Sequence, residues 1–324
     1  MFDVVTIGSA TLDIFVKSDQ FKVRESDEFS SGLALCEAFG AKIEVEDIHM
    51  VTGGGATNNA VSFARKGFNT ACISETGTDL AAQSVVHDLH KEGVNTEMLI
   101  QESKETTAVS VIMIAPSGGR SIVTCRGAAA MLEIRDIKSE LFTQTKWLYI
   151  SSIGGHLDVL NNIITQAQKR NIYIAFNPGQ KELNQITELQ AIIKNVNVLL
   201  FNLEEAAQFT QLNPDETEKI YQKLSQLNSG IQVVTDGDKG AKIIQSSKIW
   251  HCPVANTPVI EATGAGDAFG SGFISGLMLG WDIPSSAKLA AANAASVIQF
   301  FGAKQGLITL DQFKNLEKVN VSQL

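Results

Sequence analysis

Short, nearly continuous apolar runs recur along the chain, and between them apolar residues return at the three-to-four spacing of a helix. Asp3–Ile7, Thr70–Ser74, Trp147–Ser151, Ile172–Phe176, Val196–Phe201 and Ile231–Thr235 have the length and character of strands buried on both faces. The stretches Asn58–Lys66, Ala81–Glu92, Asp158–Lys169 and Asp215–Leu227 read as amphipathic helices. In the last, Ile220, Leu224 and Leu227 share a stripe while Glu216, Glu218, Lys219 and Lys223 face away. Repeated strand–helix–strand alternation predicts a parallel central sheet joined by right-handed crossovers, with helices on both faces: a three-layer α/β/α fold.

Two segments break the alternation. Asp13–Val51 carries few helix signals and alternates through Ile43-Glu-Val-Glu-Asp-Ile48, as a half-exposed strand does. Thr107–Cys125 reads as a strand pair around a turn at Pro116-Ser-Gly-Gly119. Together they predict a small β-layer projecting from the main sheet. No fixed-period repeat, low-complexity tract or Pro-rich linker divides the chain, so residues 1–324 read as one domain.

Composition narrows the function. Of 324 residues, 44% are hydrophobic and 19% charged, enough apolar material for a sizeable core. A net charge of −9 argues against binding that relies on nucleic-acid phosphates, and means that an anionic substrate needs a local electropositive device. Cys36, Cys72, Cys125 and Cys252 are scattered, as reduced thiols of a cytoplasmic protein are. The opening MFDVVTIGSATLDIF has no basic region of a leader, and Ala268–Leu279 is too short to span a bilayer, so no membrane role is expected.

The chemistry concentrates in Glu261-Ala-Thr-Gly-Ala-Gly-Asp-Ala-Phe-Gly270, expected to follow a short strand near Val259. Gly264, Ala265 and Gly266 let the backbone turn into a helix start, where unpaired amides and the helix dipole favour negative charge. Asp267 then falls in the first helical turn, beside the anion site, where a base can take a proton from an attacking hydroxyl. A plain helix start with a dipole-stabilising Asp has the same shape. A dinucleotide fingerprint fails at Phe269, and no Gly-Lys-Ser/Thr phosphate loop occurs.

The Thr263-Gly-Ala-Gly-Asp-Ala-Phe269 run resembles the C-terminal signature of the ribokinase-like (PfkB) carbohydrate kinases. Gly53-Gly-Gly-Ala-Thr-Asn-Asn-Ala60 with Ala64-Arg-Lys-Gly67 is similar to that family's N-terminal glycine signature, and Gly77-Thr-Asp79 with Glu92-Gly-Val-Asn-Thr96 to its second βα unit. The likeness runs through nearly the whole chain in the right order. It implies transfer of a phosphoryl group from ATP, with Mg²⁺, to a hydroxyl of a small sugar. The same scaffold serves adenosine and inosine kinases, and a catalytically silent sugar or nucleotide sensor is the reading from another class.

By the resemblance, Asp267 is the catalytic base and Gly264, Ala265 and Gly266 form the anion hole. Asp13, Gly53, Gly54, Gly55 and Asn58 contact the sugar, with Asn59 the lesser fit. Asn202 and Glu205, in Asn202-Leu-Glu-Glu205, serve Mg²⁺, with Glu204 the competing acid. Thr235, Gly237 and Gly240 contact the nucleotide, and Asn293 lies on the helix flanking the adenine. Glu261 stands where many members carry an Asp associated with a monovalent cation such as K⁺. Gly55 and Thr11 stand where ribokinases have Lys and Asn, and Ser152-Ile-Gly-Gly-His156 lacks the acid of a ribose site, so ribose itself is not implied. His156 could reach the site from its strand end; Arg120 and Arg126 lie in or near the second β-segment, and Arg126 reads as a surface salt bridge rather than a contact to a phosphate or substrate acid. In such kinases the small β-layer is a lid over the sugar and often pairs two subunits, which implies a homodimer.

Overall fold

The computed structural model describes residues 1–29, 31–117 and 119–324. Nine strands form the main sheet in the order Ser322–Gln323, Lys248–Cys252, Ala241–Gln245, Ile231–Thr235, Val198–Asn202, Tyr173–Phe176, Thr145–Ile150, Phe2–Ile7 and Thr70–Ile73. The six from Ile231–Thr235 onward pair in parallel and correspond to the six apolar runs of the sequence. Beyond them the sheet is mixed. Ala241–Gln245, Lys248–Cys252 and Ser322–Gln323 add antiparallel at one edge, the first two through short turns and the third after the C-terminal helices. The last two of these strands were not expected from the apolar pattern.

Successive strand side chains point to opposite faces, so each parallel strand feeds two cores. Val5, Ile7, Leu148, Ile150, Leu199 and Phe201 pack on one side under Leu160, Ile163 and Ile164 of helix Leu157–Gln168. Val4, Tyr149, Val198 and Leu200 pack on the other under Phe269, Phe273, Ala287 and Ala290. Those last four come from helices Ala265–Met278 and Ile283–Val297. This is the three-layer arrangement, and its parallel strands present their C-terminal ends on one side, where open α/β sheets bind ligands.

A second sheet of four strands has the order Arg120–Cys125, Ala108–Ile114, Thr11–Lys17, Asp47–Gly53. Both segments that broke the alternation therefore join one layer. The strand expected across Ile43–Ile48 begins instead at Asp47, and Lys22–Glu25 pairs with Leu33–Cys36 as a separate exposed hairpin. Between Ala108–Ile114 and Arg120–Cys125 the Ala115 amide donates to the Gly119 carbonyl at 2.8 Å; Gly118 of the expected turn lies outside the described residues. Phe15 turns inward from this layer, buried, with its ring centroid 5.9 Å from that of Phe301.

Two departures touch the site directly. No strand forms near Val259; residues 253–264 have no regular structure, and Ile260 and Glu261 hang from the Ile298 carbonyl through their amides at 2.8 and 3.1 Å. A turn at Gly302–Lys304 ties three elements together. A Cβ on Gly302 would overlap Val51, and one on Gly264 would overlap Ala303. Lys304 Nζ donates to Thr52 Oγ1 at 2.7 Å and Asp88 Oδ2 at 3.0 Å. Apart from the site, Glu75 in the short strand Glu75–Thr76 is buried with both carboxylate oxygens unpartnered. Among the described residues no helix is long and apolar enough to cross a membrane.

Candidate active site

Helix Ala265–Met278 begins at Gly264, whose φ of 79° lies in the left-handed region that glycine adopts without strain. The Ala265 amide is already taken by the Ala262 carbonyl at 3.2 Å, whereas the amides of Gly266 and Asp267 have no protein acceptor. The free donors at this helix start are therefore those two, and Ala265 contributes backbone shape rather than its N–H. Asp267 is the third helical residue, inside the first turn as its spacing predicts.

The Asp267 carboxylate keeps a partly open surface but has protein around most of it. Asn58 Nδ2 donates to its Oδ2 at 2.8 Å and Asn59 Nδ2 to its Oδ1 at 3.2 Å. Burial pushes the carboxyl above its usual range, and the two amides, which favour the charged form, pull against that. Both asparagines ride on helix Gly55–Arg65, which starts after Gly54 at a φ of 95°. Asn59, read from sequence as the lesser contact, is thus bound to the acid as directly as Asn58.

Asp13 projects from the second sheet, its Oδ1 accepting from Thr11 Oγ1 at 3.1 Å. A Cβ on Gly53, which pairs with Thr11 on the neighbouring strand, would collide with the Asp13 carboxylate, so glycine leaves the room that this acid occupies. Burial raises Asp13; the Thr11 and Ser110 hydroxyls and the Lys304 charge oppose the rise, while Glu261 adds to it.

Two adjoining pockets share Thr235, Gly266 and Phe269 in their walls. The polar one is lined by Asn177, Asn202, Glu205, Gly264 and Asp267. Asn202 and Glu205 form a reciprocal cap: the Glu205 amide donates to Asn202 Oδ1 at 2.8 Å, and the Asn202 amide to Glu205 Oε2 at 2.9 Å. Glu205 is raised by burial, then by the charges of Glu204 and Asp267, so a cation placed between these acids would be welcome. Among the described residues no group of three or more His, Cys, Asp or Glu is arranged to hold a metal alone. One carboxylate beside a phosphate-sized hollow does suit Mg²⁺, which keeps waters and shares itself with substrate phosphates.

The second pocket is apolar, with Val254, Ala255, Ala291, Ala294, Ala295 and Ile298 opposite Gly237 and Gly240. Asn293 is not in its wall. Its side chain is fully buried, donating to the Ala268 carbonyl at 2.7 Å and Ser62 Oγ at 3.2 Å, and accepting from the Ile308 amide at 3.0 Å. It locks helices together behind the site, and the expectation that it flanks a base passes to its neighbours Ala294 and Ala295. His156 is likewise committed, its Nε2 lying 2.8 Å from the Ala130 carbonyl.

Arg120 is exposed, yet its charge is paired. From the second sheet it forms an ion pair with the buried carboxylate of Glu261 and donates to Thr263 Oγ1 at 3.3 Å, immediately before Gly264. Thr263 Oγ1 in turn donates to Glu261 at 2.6 Å. Neither pocket wall includes a lysine or arginine, so this guanidinium is a cation held at the very loop that leads into the free amides.

The model of the pfkB family carbohydrate kinases matches residues 1–310. The chain belongs to that family. This carbohydrate kinase is 27% identical over 255 residues to an uncharacterized sugar kinase of Archaeoglobus fulgidus, covering 76% of this chain and 98% of that protein. It is 26% identical to a nucleoside kinase of Methanocaldococcus jannaschii over 280 residues, 85% of this chain and 89% of the other. The solved structure of Arabidopsis thaliana ribokinase with ribose and ATP superimposes with a TM-score of 0.80 at 20% identity, covering 97% and 98% of the two chains. Sequence reasoning missed Asn177 in the polar pocket wall, the pairing of Arg120 with Glu261 and the bond from Asn59 to Asp267. An Asn-Asn pair at a helix start reads as capping, and nothing local announces a partner as distant along the chain as Glu261.

Proposed function

We propose that the protein transfers the γ-phosphoryl group of ATP to a hydroxyl, a primary alcohol, of a small sugar, with Asp267 as the base. The observation that carries this reading is the carboxylate of Asp267 standing beside two unpaired helix-start amides at the junction of a polar and an apolar pocket. The apolar pocket suits an adenine, with Thr235, Gly237 and Gly240 along the path of the phosphates. Glu205, with Asn202 holding it, would bind Mg²⁺ through water, and the ion supplies neutralising charge to the phosphates when bound.

Asp13 and Asn58, with the backbone of Gly53–Gly55, orient the sugar so that its hydroxyl meets the γ-phosphate in line. Asp267 takes the hydroxyl proton as the new O–P bond forms, and the amides of Gly266 and Asp267 stabilise charge on the transferring group. The second sheet serves as a lid that keeps water from acting as the acceptor. Its Ile48, Met50, Ile122 and Val123 are exposed, which supports pairing of two lids in a homodimer. Four free thiols support a cytoplasmic setting. At Glu261 the paired guanidinium of Arg120 does the work that K⁺ would otherwise do.

Incubation with ATP, Mg²⁺ and a panel of sugars and nucleosides, read as ADP release, should find a sugar turned over with the highest kcat/KM. Asp267→Asn should lower kcat on it by roughly 10²–10⁴-fold while nucleotide binding persists. A preference for nucleosides would move the activity to that acceptor class. An Asp267→Asn enzyme within a few-fold of wild type would remove the base.

A further inference from the structure

Asp267 is gripped by two amides that are not equivalent. Asn58 makes one bond with its Nδ2, 2.8 Å to Oδ2, and the side-chain Oδ1 of each asparagine is buried with no partner among the described residues. Asn59 Nδ2 bonds Asp267 Oδ1 at 3.2 Å and also the Gly55 carbonyl, one turn back on its own helix, at 2.6 Å. Asn59 is completely buried; Asn58 is 5% exposed. Consecutive helical residues diverge by about 100°, and the carboxylate fills the gap, one oxygen to each. To meet a ligand Asn58 need give up one bond, whereas Asn59 would have to abandon its anchorage to the helix.

No lysine or arginine acts on Asp267. The titratable groups that face it are the Tyr149 hydroxyl, buried and unpartnered on strand Thr145–Ile150, and Glu205 on helix Leu203–Thr210. Neither helps to hold a negative charge. Ser271 donates to the Asp267 main-chain carbonyl and leaves the carboxylate alone. Among the described residues the two asparagines are its only side-chain donors.

We propose that Asn59 is a positioning residue for phosphoryl transfer: tied to the Gly55 carbonyl, it fixes Oδ1 of Asp267, so that Oδ2, released as the sugar engages Asn58, is the oxygen that receives the proton. The inference rests on Asp267 being the base. In the step, the sugar O–H breaks and its proton goes to Oδ2 while the sugar oxygen bonds to the γ-phosphorus. The bond from that phosphorus to the bridging oxygen breaks, its electron pair leaving with ADP, and Asp267 returns the proton to solvent after product departs.

The test compares Asn59→Leu, Asn59→Asp, Asn58→Ala and Asp267→Asn on the sugar that wild type turns over. Losing one charge-assisted donor should lower kcat of Asn59→Leu by roughly 10–100-fold, with both KM values within about three-fold, since Asn59 touches neither substrate in this scheme. The acid limb of its kcat–pH profile should move up, because the lost donor favoured the ionised carboxyl. Asn58→Ala should instead raise the sugar KM at least about ten-fold. Where Asn59→Leu fails to fold, Asn59→Asp keeps the shape, and a second carboxylate beside Asp267 should move the acid limb further up. An unmoved acid limb in whichever of the two folds overturns the proposal, even with reduced kcat, since a packing role would cost stability without changing the titration. If Asp267→Asn is itself active, the base assignment fails first; if it is dead while Asn59→Leu matches wild type, only the role of Asn59 fails.

Discussion

Glu75 puts a number on the cost of an unpaired buried acid. Its side chain is 2% exposed and neither oxygen has a hydrogen bond. Burial, then the charges of Asp136 and Glu102, push its carboxyl from the usual 4.5 up to about 8, with a poorly placed Met131 amide opposing. Between those values the folded chain holds the proton and the unfolded chain has released it, so stability is full below pH 4.5 and falls as pH rises through 8. At about 1.36 kcal/mol per pH unit the complete loss is on the order of 5 kcal/mol, and water entry or local relaxation reduces it to about half. Glu75→Gln keeps the shape and cannot ionise. Urea unfolding at pH 5, 6, 7, 8 and 9 should therefore show the variant gaining on wild type by roughly 1 kcal/mol per unit up to about pH 8, then levelling. Lys66, buried and lowered from 10.5 to about 7, adds a dependence of opposite sign above about pH 7, but it is common to both proteins and cancels in the difference. A stability difference that stays constant from pH 5 to 9 would mean that Glu75 is not held protonated, and the reasoning would fall.

Asp13→Ala should raise the sugar KM by roughly a hundred-fold while leaving the ATP KM within a few-fold, as loss of a charged hydrogen-bonding group to one substrate does; equal effects on both substrates in steady-state kinetics would take it out of the sugar site. Arg120→Ala leaves the Glu261 carboxylate uncompensated next to the amides that meet phosphate, and should weaken ATP about ten-fold. Adding Glu261→Gln to it should restore much of that affinity, and a double variant no better than the single would show that Arg120 acts otherwise.

The parallel core was legible because its information is local. A strand buried on both faces must be apolar at every position, and Val198–Phe201 or Leu148–Ile150 carry that demand in a few consecutive residues. The helix start at Gly264 and the place of Asp267 in its first turn were legible for a related reason: a Gly-x-Gly bend followed by an acid states both the turn and the charge in one short stretch. Edge strands escape such reading. Lys248–Cys252 is half solvent-facing, and Ser322–Gln323 is two exposed residues whose only strand signal is the partner they add to. Asn293 misled because a polar residue on an alanine-rich helix looks like a ligand contact, whereas three internal hydrogen bonds fully employ it. The partner of Arg120 could not be read from the sequence, because only the folded chain brings Glu261 under it.

The turn at Gly302–Lys304 bears on how the chain holds together. It is distant along the chain from the segments it supports, yet it props Gly264 through Ala303, Val51 through Gly302, and Thr52 with Asp88 through Lys304. Removing it would strip the support from under the bend at Gly264 and the strand Asp47–Gly53 at once.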